Sequence, residues 1–245
     1  MINKRGLQSL VRPASGLRDD AVTAAFPFGL AREGVHEIAE LHYGDAGAAT
    51  GFALSALKAS RPGIWLWIRE RALTMDLGRV TGLGAATFGL DPSRFVFVET
   101  GSPLEALMAA EEGIRSGAVS TVIAEVRQAS FTATRRLIMA SEAGGTPALL
   151  LLPHTRAGAT AAHARWRISP APSAPNVFDA RAPGSPRWTA RLERCRTAPG
   201  QAGHQFNLEF DDETLCLRLV SGLVDGQTAA RPARPAAILP FRKAG

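Results

Sequence analysis

A chain of 245 residues with 46% hydrophobic content is long enough for one large domain or two small ones and can bury a substantial core, which excludes wholesale intrinsic disorder. The net charge of +6 is unevenly placed: residues 21–220 hold 20 basic and 19 acidic groups, and the surplus lies in the two ends. No apolar run reaches bilayer or secretory length, and Cys195 and Cys216 lack Cys-x-x-Cys spacing, so the expectation is a cytoplasmic protein with free thiols, no disulfide and no zinc.

Residues 1–24 mix Gly6, Pro13, Ser15 and Gly16 with charges and show no sustained period, which predicts a flexible arm. The fold is expected to start at Phe26–Phe28 and to run as one core over residues 25–220. Residues 34–59 then read as a short strand, a small-residue loop and a helix. In a nucleotide-binding α/β protein such a junction holds a triphosphate and reads Gly-x-x-x-x-Gly-Lys-Ser/Thr. Aligned on Thr50, the lysine position is Ala49, the second glycine is Ala48 and the first is Tyr43. Only Gly44, Gly47 and Thr50 retain phosphate-loop chemistry, so the loop is degenerate.

Ile64–Ile68 is a continuous apolar run, as in a strand covered on both faces, and places Trp65 and Trp67 in the core. Leu73, Leu77 and Val80 mark a helix that Gly82 and Gly84 interrupt, with a second short helix over Ala85–Leu90. Phe95–Val98 is the next strand. Ser102-Pro103-Leu104-Glu105 is a capping box that starts a helix with Leu104, Leu107, Met108 and Ile114 as its inward stripe and Gly117 as its stop. Thr121–Val126 reads as a strand, Thr134–Ala143 as a helix ended by Gly144-Gly145, and Ala148–Leu152 as a strand. This alternation implies an α/β fold, a mostly parallel sheet flanked by helices.

Beyond Pro153 four strand-like runs follow without helices: Arg165–Ser169, Arg187–Leu192, Phe206–Phe210 and Leu215–Leu219, which predict C-terminal antiparallel hairpins. Pro170–Pro186 reads as a surface loop. Pro153–Gly200 carries eight arginines against Asp179 and Glu193, a local excess that points to a polyanion partner or to a solvated arginine-rich surface. Trp166 and Trp188 lie among these arginines and are open between core and base-stacking roles. The five histidines, His36, His42, His154, His163 and His204, show no metal-ligand spacing, so no metal site is expected. Residues 221–245 read as a flexible Pro/Ala/Arg-rich tail. Its apolar Ile238, Leu239 and Phe241, between cations, either dock in a partner's groove or fold back on this chain's own sheet edge.

The order of these stretches resembles the RecA core. Ile68-Arg69-Glu70-Arg71-Ala72-Leu73 resembles the strand end bearing RecA's catalytic glutamate, which would put that role at Glu70. Arg115-Ser116-Gly117-Ala118-Val119 and the following TVIAEV resemble the approach to the Walker B strand, with Glu125 at the acidic position. RecA's nucleotide-sensing glutamine would fall near His154. The His-Glu-Ile opening, the alanine-filled loop, EAGGTPALLLLP and the RWRI and RWTARLERCR strands together resemble the ImuA family, SOS-induced accessory proteins of mutagenic translesion synthesis.

That resemblance implies a non-catalytic RecA-like adaptor without a cofactor. Its implied partners are an ImuB-like inactive Y-family polymerase homologue and an error-prone replicative-type polymerase, with RecA as an additional candidate. Glu70 and Glu125 are then vestigial. The positions comparable to RecA's two DNA-binding loops are Arg127, Arg135 and Arg136 around the first and Arg156, Arg165 and Arg167 around the second. The alternatives are a RecA-like NTPase with an atypical phosphate loop and a SulA-type division inhibitor.

Overall fold

The computed structural model describes residues 26–176, 178–179, 181–211 and 213–220. The elements in chain order are β1 (Val35–Glu40), α1 (Ala46–Leu57), β2 (Trp65–Glu70), α2 (Arg71–Leu77), α3 (Gly82–Thr87), β3 (Phe95–Thr100), α4 (Pro103–Ser116), β4 (Thr121–Glu125), α5 (Phe131–Gly144), β5 (Ala148–Leu152), β6 (Ala164–Ala171), β7 (Arg187–Cys195), β8 (Gln205–Asp211) and β9 (Cys216–Leu219). All nine strands form one sheet in the order β3-β2-β4-β5-β1-β6-β7-β8-β9. The pairings from β3 to β6 are parallel, and β6–β7, β7–β8 and β8–β9 are antiparallel. The C-terminal hairpins therefore continue the main sheet, because β6 pairs in parallel with β1 from Ala164 to Ile168.

Strand alternation divides the core in two. On one face Trp65, Trp67, Ile123, Leu149, Ile38, Trp166 and Trp188 pack under α1, around Phe52. Trp166 and Trp188 are thus core residues, which settles their role against base stacking. On the other face Ile68, Val122, Ala124 and Leu150 pack under α4 and α5. Helix α1 lies close enough to the antiparallel part that a Cβ on Gly51 would sit 2.9 Å from the Trp188 ring.

Three local expectations are corrected. The break after α2 falls at Gly78, where φ is +82°, and α3 begins at Gly82 because the Thr81 hydroxyl accepts from the Gly84 amide at 3.1 Å. In α4, Leu107 and Ile114 point inward, but Leu104 and Met108 are 65% and 52% exposed; the buried stripe is Ala106, Leu107, Ala110, Gly113 and Ile114. Small residues on that stripe let α4 sit close to β2. The Ser102 hydroxyl accepts from the Glu105 amide at 3.3 Å, but the Glu105 carboxylate accepts from Gly101 at 2.8 Å and not from Ser102. Replacing Ser102 with Ala removes this cap, and a loss of about 1 kcal/mol is expected in urea denaturation; an unchanged midpoint would show that the cap contributes nothing.

Candidate functional site

The degenerate loop sits where the alternation predicts, at the C-terminal end of β1 and the start of α1. It opens into a cavity of about 940 Å³ bounded by the ends of β4 and β5 and by α2 and α3. Gly44, Gly47, Ala49 and Thr50 line it. Gly44 has φ +95°, and a Cβ on Gly44 or Gly47 would meet open space, so the backbone leaves room for a ligand. The charges do not match a triphosphate. Asp45 directly precedes α1, at the end where a helix attracts anions, and its carboxylate accepts from the His42 amide at 2.9 Å. Ala49, at the lysine position, is 3% exposed and belongs to the core.

The other charged groups around the cavity are either acidic or already paired. Glu40, Asp76 and Glu125 line it. Burial pushes the Glu40 and Glu125 carboxyls above the usual range, against the opposing pull of His154 on the first and of Arg69 on the second. Trp67 Nε1 donates to Glu125 at 2.6 Å. The lining cations are Arg79, ion-paired with Glu99 at 3.1 Å, and Arg127, ion-paired with Glu70. Glu70 is 0% exposed; its Oε1 accepts from Arg127 Nε at 2.5 Å and its Oε2 from the Arg127 amide at 3.2 Å. Both oxygens of the buried Glu70 carboxylate are thus engaged by Arg127. His154 lies 3.7 Å from Glu40 through Nδ1 and meets Tyr43 edge-on.

The residues compared with RecA's first DNA-binding loop share little. Arg127 is held by Glu70 and Arg136 by Glu111 at 2.7 Å, whereas Arg135 is exposed and makes no ion pair among the described residues. The second set requires correction. Arg165 and Arg167 are 6% and 8% exposed and lie on β6. Glu37, 0% exposed on β1, accepts from Arg165 Nε at 2.7 Å, from Arg156 Nη2 at 3.0 Å and from the Thr160 hydroxyl at 2.7 Å. Arg167 donates to Glu193 at 3.1 Å, to the carbonyls of Glu40 and His154 at 3.0 and 2.9 Å, and to that of Arg156. These three arginines staple the short β5–β6 connection to the sheet. They are held within the fold by the buried Glu37 and the partly exposed Glu193, so they are not presented to solvent as the phosphate-contacting loop that the sequence predicted.

His36, buried on β1, was visible in the sequence without an assignable role. Its Nε2 meets the Glu33 carbonyl at 3.1 Å and its Nδ1 faces Trp166 Nε1 at 3.5 Å, which fits a neutral ring protonated on Nε2. Burial, opposed by the pull of the Glu33 carbonyl and aided by His163, lowers its pKa from 6.5 to about 4. The folded value is depressed, so the stabilisation is full above pH 6.5 and is lost as pH falls toward 4. Between about pH 7.5 and about pH 5 the expected loss is about 2 kcal/mol. The raised carboxyls of Glu40 and Glu125 act in the opposite direction, so the check is the difference in urea stability between the parent and His36→Gln at both pH values. Equal pH slopes in the two chains would remove His36 as the cause.

Ile238, Leu239 and Phe241, and the two terminal segments as a whole, lie outside the described residues. Among the described residues no group of three His, Cys, Asp or Glu side chains converges as a metal site would require, and no helix is long and apolar enough to cross a membrane.

No family model matches the chain. The curated relatives it matches include Protein ImuA of Caulobacter vibrioides, in two strains, each 31% identical over 252 residues that cover 90% of this chain and 94% of the relative. Among solved structures it is similar to SulA from Pseudomonas aeruginosa, at 21% identity and a TM-score of 0.39, over 49% of this chain and 97% of that one. Identity of 31% sustained over nine-tenths of the sequence decides the family: the chain belongs to the ImuA family.

Proposed function

We propose that this protein is a non-catalytic RecA-like accessory factor of DNA-damage-induced mutagenic translesion synthesis, which supports a polymerase assembly on DNA. The observation that carries the reading is a pair of features at one site: Ala49 stands where a phosphate-binding lysine is needed, and the strand-end Glu70 is buried and ion-paired with Arg127. The cavity of about 940 Å³ at the loop favours one competing reading, an NTPase with an atypical loop.

The partners in this reading are an ImuB-like inactive Y-family polymerase homologue and an error-prone replicative-type polymerase, with RecA as a further one. Affinity purification of the tagged chain after DNA damage tests it directly. Recovery of the polymerase-like partners is expected, with their loss and an unchanged melting temperature when residues 225–245, which include Ile238, Leu239 and Phe241, are deleted. Recovery of a tubulin-like division protein in their place would overturn the reading in favour of a SulA-type inhibitor.

A further inference from the structure

The arginines of β6 and β7 are arranged against their own electrostatics. In the antiparallel pairing Arg165 lies opposite Arg194 and Arg167 opposite Arg191, two like-charge pairs in direct register, which destabilise a sheet unless something offsets them. The register shifts between Arg165 and Trp166, an irregularity of the bulge type that brings Glu193 into reach of the same arginines. Glu193 ion-pairs with Arg167 at 3.1 Å and reaches Arg165 at 4.0 Å, and Glu37 takes Arg165 and Arg156. Five arginines therefore share two glutamates on this part of the sheet, and the nearby Arg196 is already matched by Glu142.

The uncompensated charge converges on one place. A cavity of about 410 Å³ lies between the 158–160 segment and β7, lined by Arg165, Arg191, Arg194 and Glu193 and edged by Gly158 and Gly203, which have no side chains to fill it. Arg165 is nine-tenths buried beside this cavity, and its Nη2 has no hydrogen-bond partner, an unsatisfied buried donor of the kind that folded proteins avoid. Arg194 uses Nη1 on the Thr160 carbonyl at 2.6 Å, and Arg191 makes no ion pair among the described residues. Both are exposed, so their remaining donors face solvent at the cavity mouth.

We infer that this cavity binds a phosphate group, with Arg191 and Arg194 as its direct contacts and Arg165 as the buried charge beneath them. Planar guanidinium groups match phosphate oxygens two at a time, and an anion here offsets both like-charge pairs at once. The source of the phosphate is the backbone of a nucleic acid, which deepens the DNA-contacting part of the proposed function and rests on it; a free phosphate shares the chemistry and is separated by the test. The site differs from the one the sequence predicted, since Arg156 and Arg167 are structural.

The test uses the full chain and two probes at constant ionic strength: a labelled single-stranded oligonucleotide of mixed sequence, read by anisotropy, and sodium pyrophosphate, read by competition and calorimetry. For the parent, oligonucleotide binding that pyrophosphate competes is expected. In Arg191→Ala/Arg194→Ala the slope of log affinity against log salt should become shallower by about 1.4, the release of two single-strand phosphate contacts. Arg191→Lys/Arg194→Lys should keep the slope. Arg191→Glu, which breaks no ion pair among the described residues, should make the slope shallower by about 0.7 without depending on the double variant. Oligonucleotide binding with the same slope in the parent and in the alanine and glutamate variants would overturn this site while leaving DNA contact elsewhere intact. Pyrophosphate binding that needs both arginines, with no oligonucleotide binding, would keep the site, assign it to a free phosphate and remove the DNA-contacting part of the proposed function.

Discussion

Replacing Glu37 with Ala is expected to destabilise the protein by about 3–5 kcal/mol, the range for breaking a buried ion pair from one side. The cost comes from what is left behind. Arg165 is 7% exposed at its side chain and Arg156 11%, and both direct donors at the same carboxylate, with the Thr160 hydroxyl as a third. Removing the carboxylate leaves one cation fully enclosed and a second nearly so, in a region where unpaired charge already exceeds its compensation. Because a domain's total stability is about 5–15 kcal/mol, a loss of this size takes a large share of it. The control is Glu37→Leu/Arg165→Met, which removes both members of the main pair and should recover much of the loss, since well-packed apolar replacements of buried pairs are often neutral. Denaturant midpoints of the three chains decide the matter. If the double replacement is as unstable as Glu37→Ala, the damage is to packing, and the account of Glu37 as a counter-charge is wrong.

The second large effect concerns nucleotide. A lost charge-assisted contact costs about 1.5–3 kcal/mol, and about 1.4 kcal/mol corresponds to a factor of ten, so the missing lysine alone weakens triphosphate binding by roughly one to two orders of magnitude. Asp45 at the start of α1 and the carboxylates of Glu40, Asp76 and Glu125 around the cavity add repulsion. Turnover should suffer more than binding, because phosphoryl transfer depends on positioned charge and an oriented nucleophile. Restoring the lysine as Ala49→Lys is therefore expected to strengthen binding of Mg-ATP without creating hydrolysis, since Glu70 stays occupied by Arg127. Hydrolysis by Ala49→Lys alone would show that the Glu70–Arg127 pair opens readily and is no barrier.

Strands β2, β4 and β5 were legible because each is largely buried on both faces, and burial on both faces writes itself as an uninterrupted apolar run: Trp65 to Ile68 and Ala148 to Leu152 are the clearest, whereas the edge strand β3 leaves Val96 and Phe97 exposed. The degenerate loop was legible for the opposite reason, as a fixed spacing in which single absences can be counted. The roles of Arg156, Arg165 and Arg167 were not legible. Arginine is ordinarily a surface residue, and the glutamate that neutralises two of them lies 119 and 128 residues away in sequence. The misreading of Leu104 and Met108 has another origin, since apolar periodicity cannot say which of two apolar faces a helix buries when small residues such as Ala106 and Ala110 carry the contact. Asp45 could have been noticed, as an acid directly before the loop helix, and the strand-end pairing of Glu70 with Arg127 could not.

The central claim is that a RecA-like architecture has been kept without its chemistry. It is tested most directly by steady-state phosphate release from Mg-ATP, with and without single-stranded DNA, in the parent and in Glu70→Gln. The account predicts release indistinguishable from buffer in both chains. Turnover by the parent that Glu70→Gln abolishes would contradict it and establish a working NTPase.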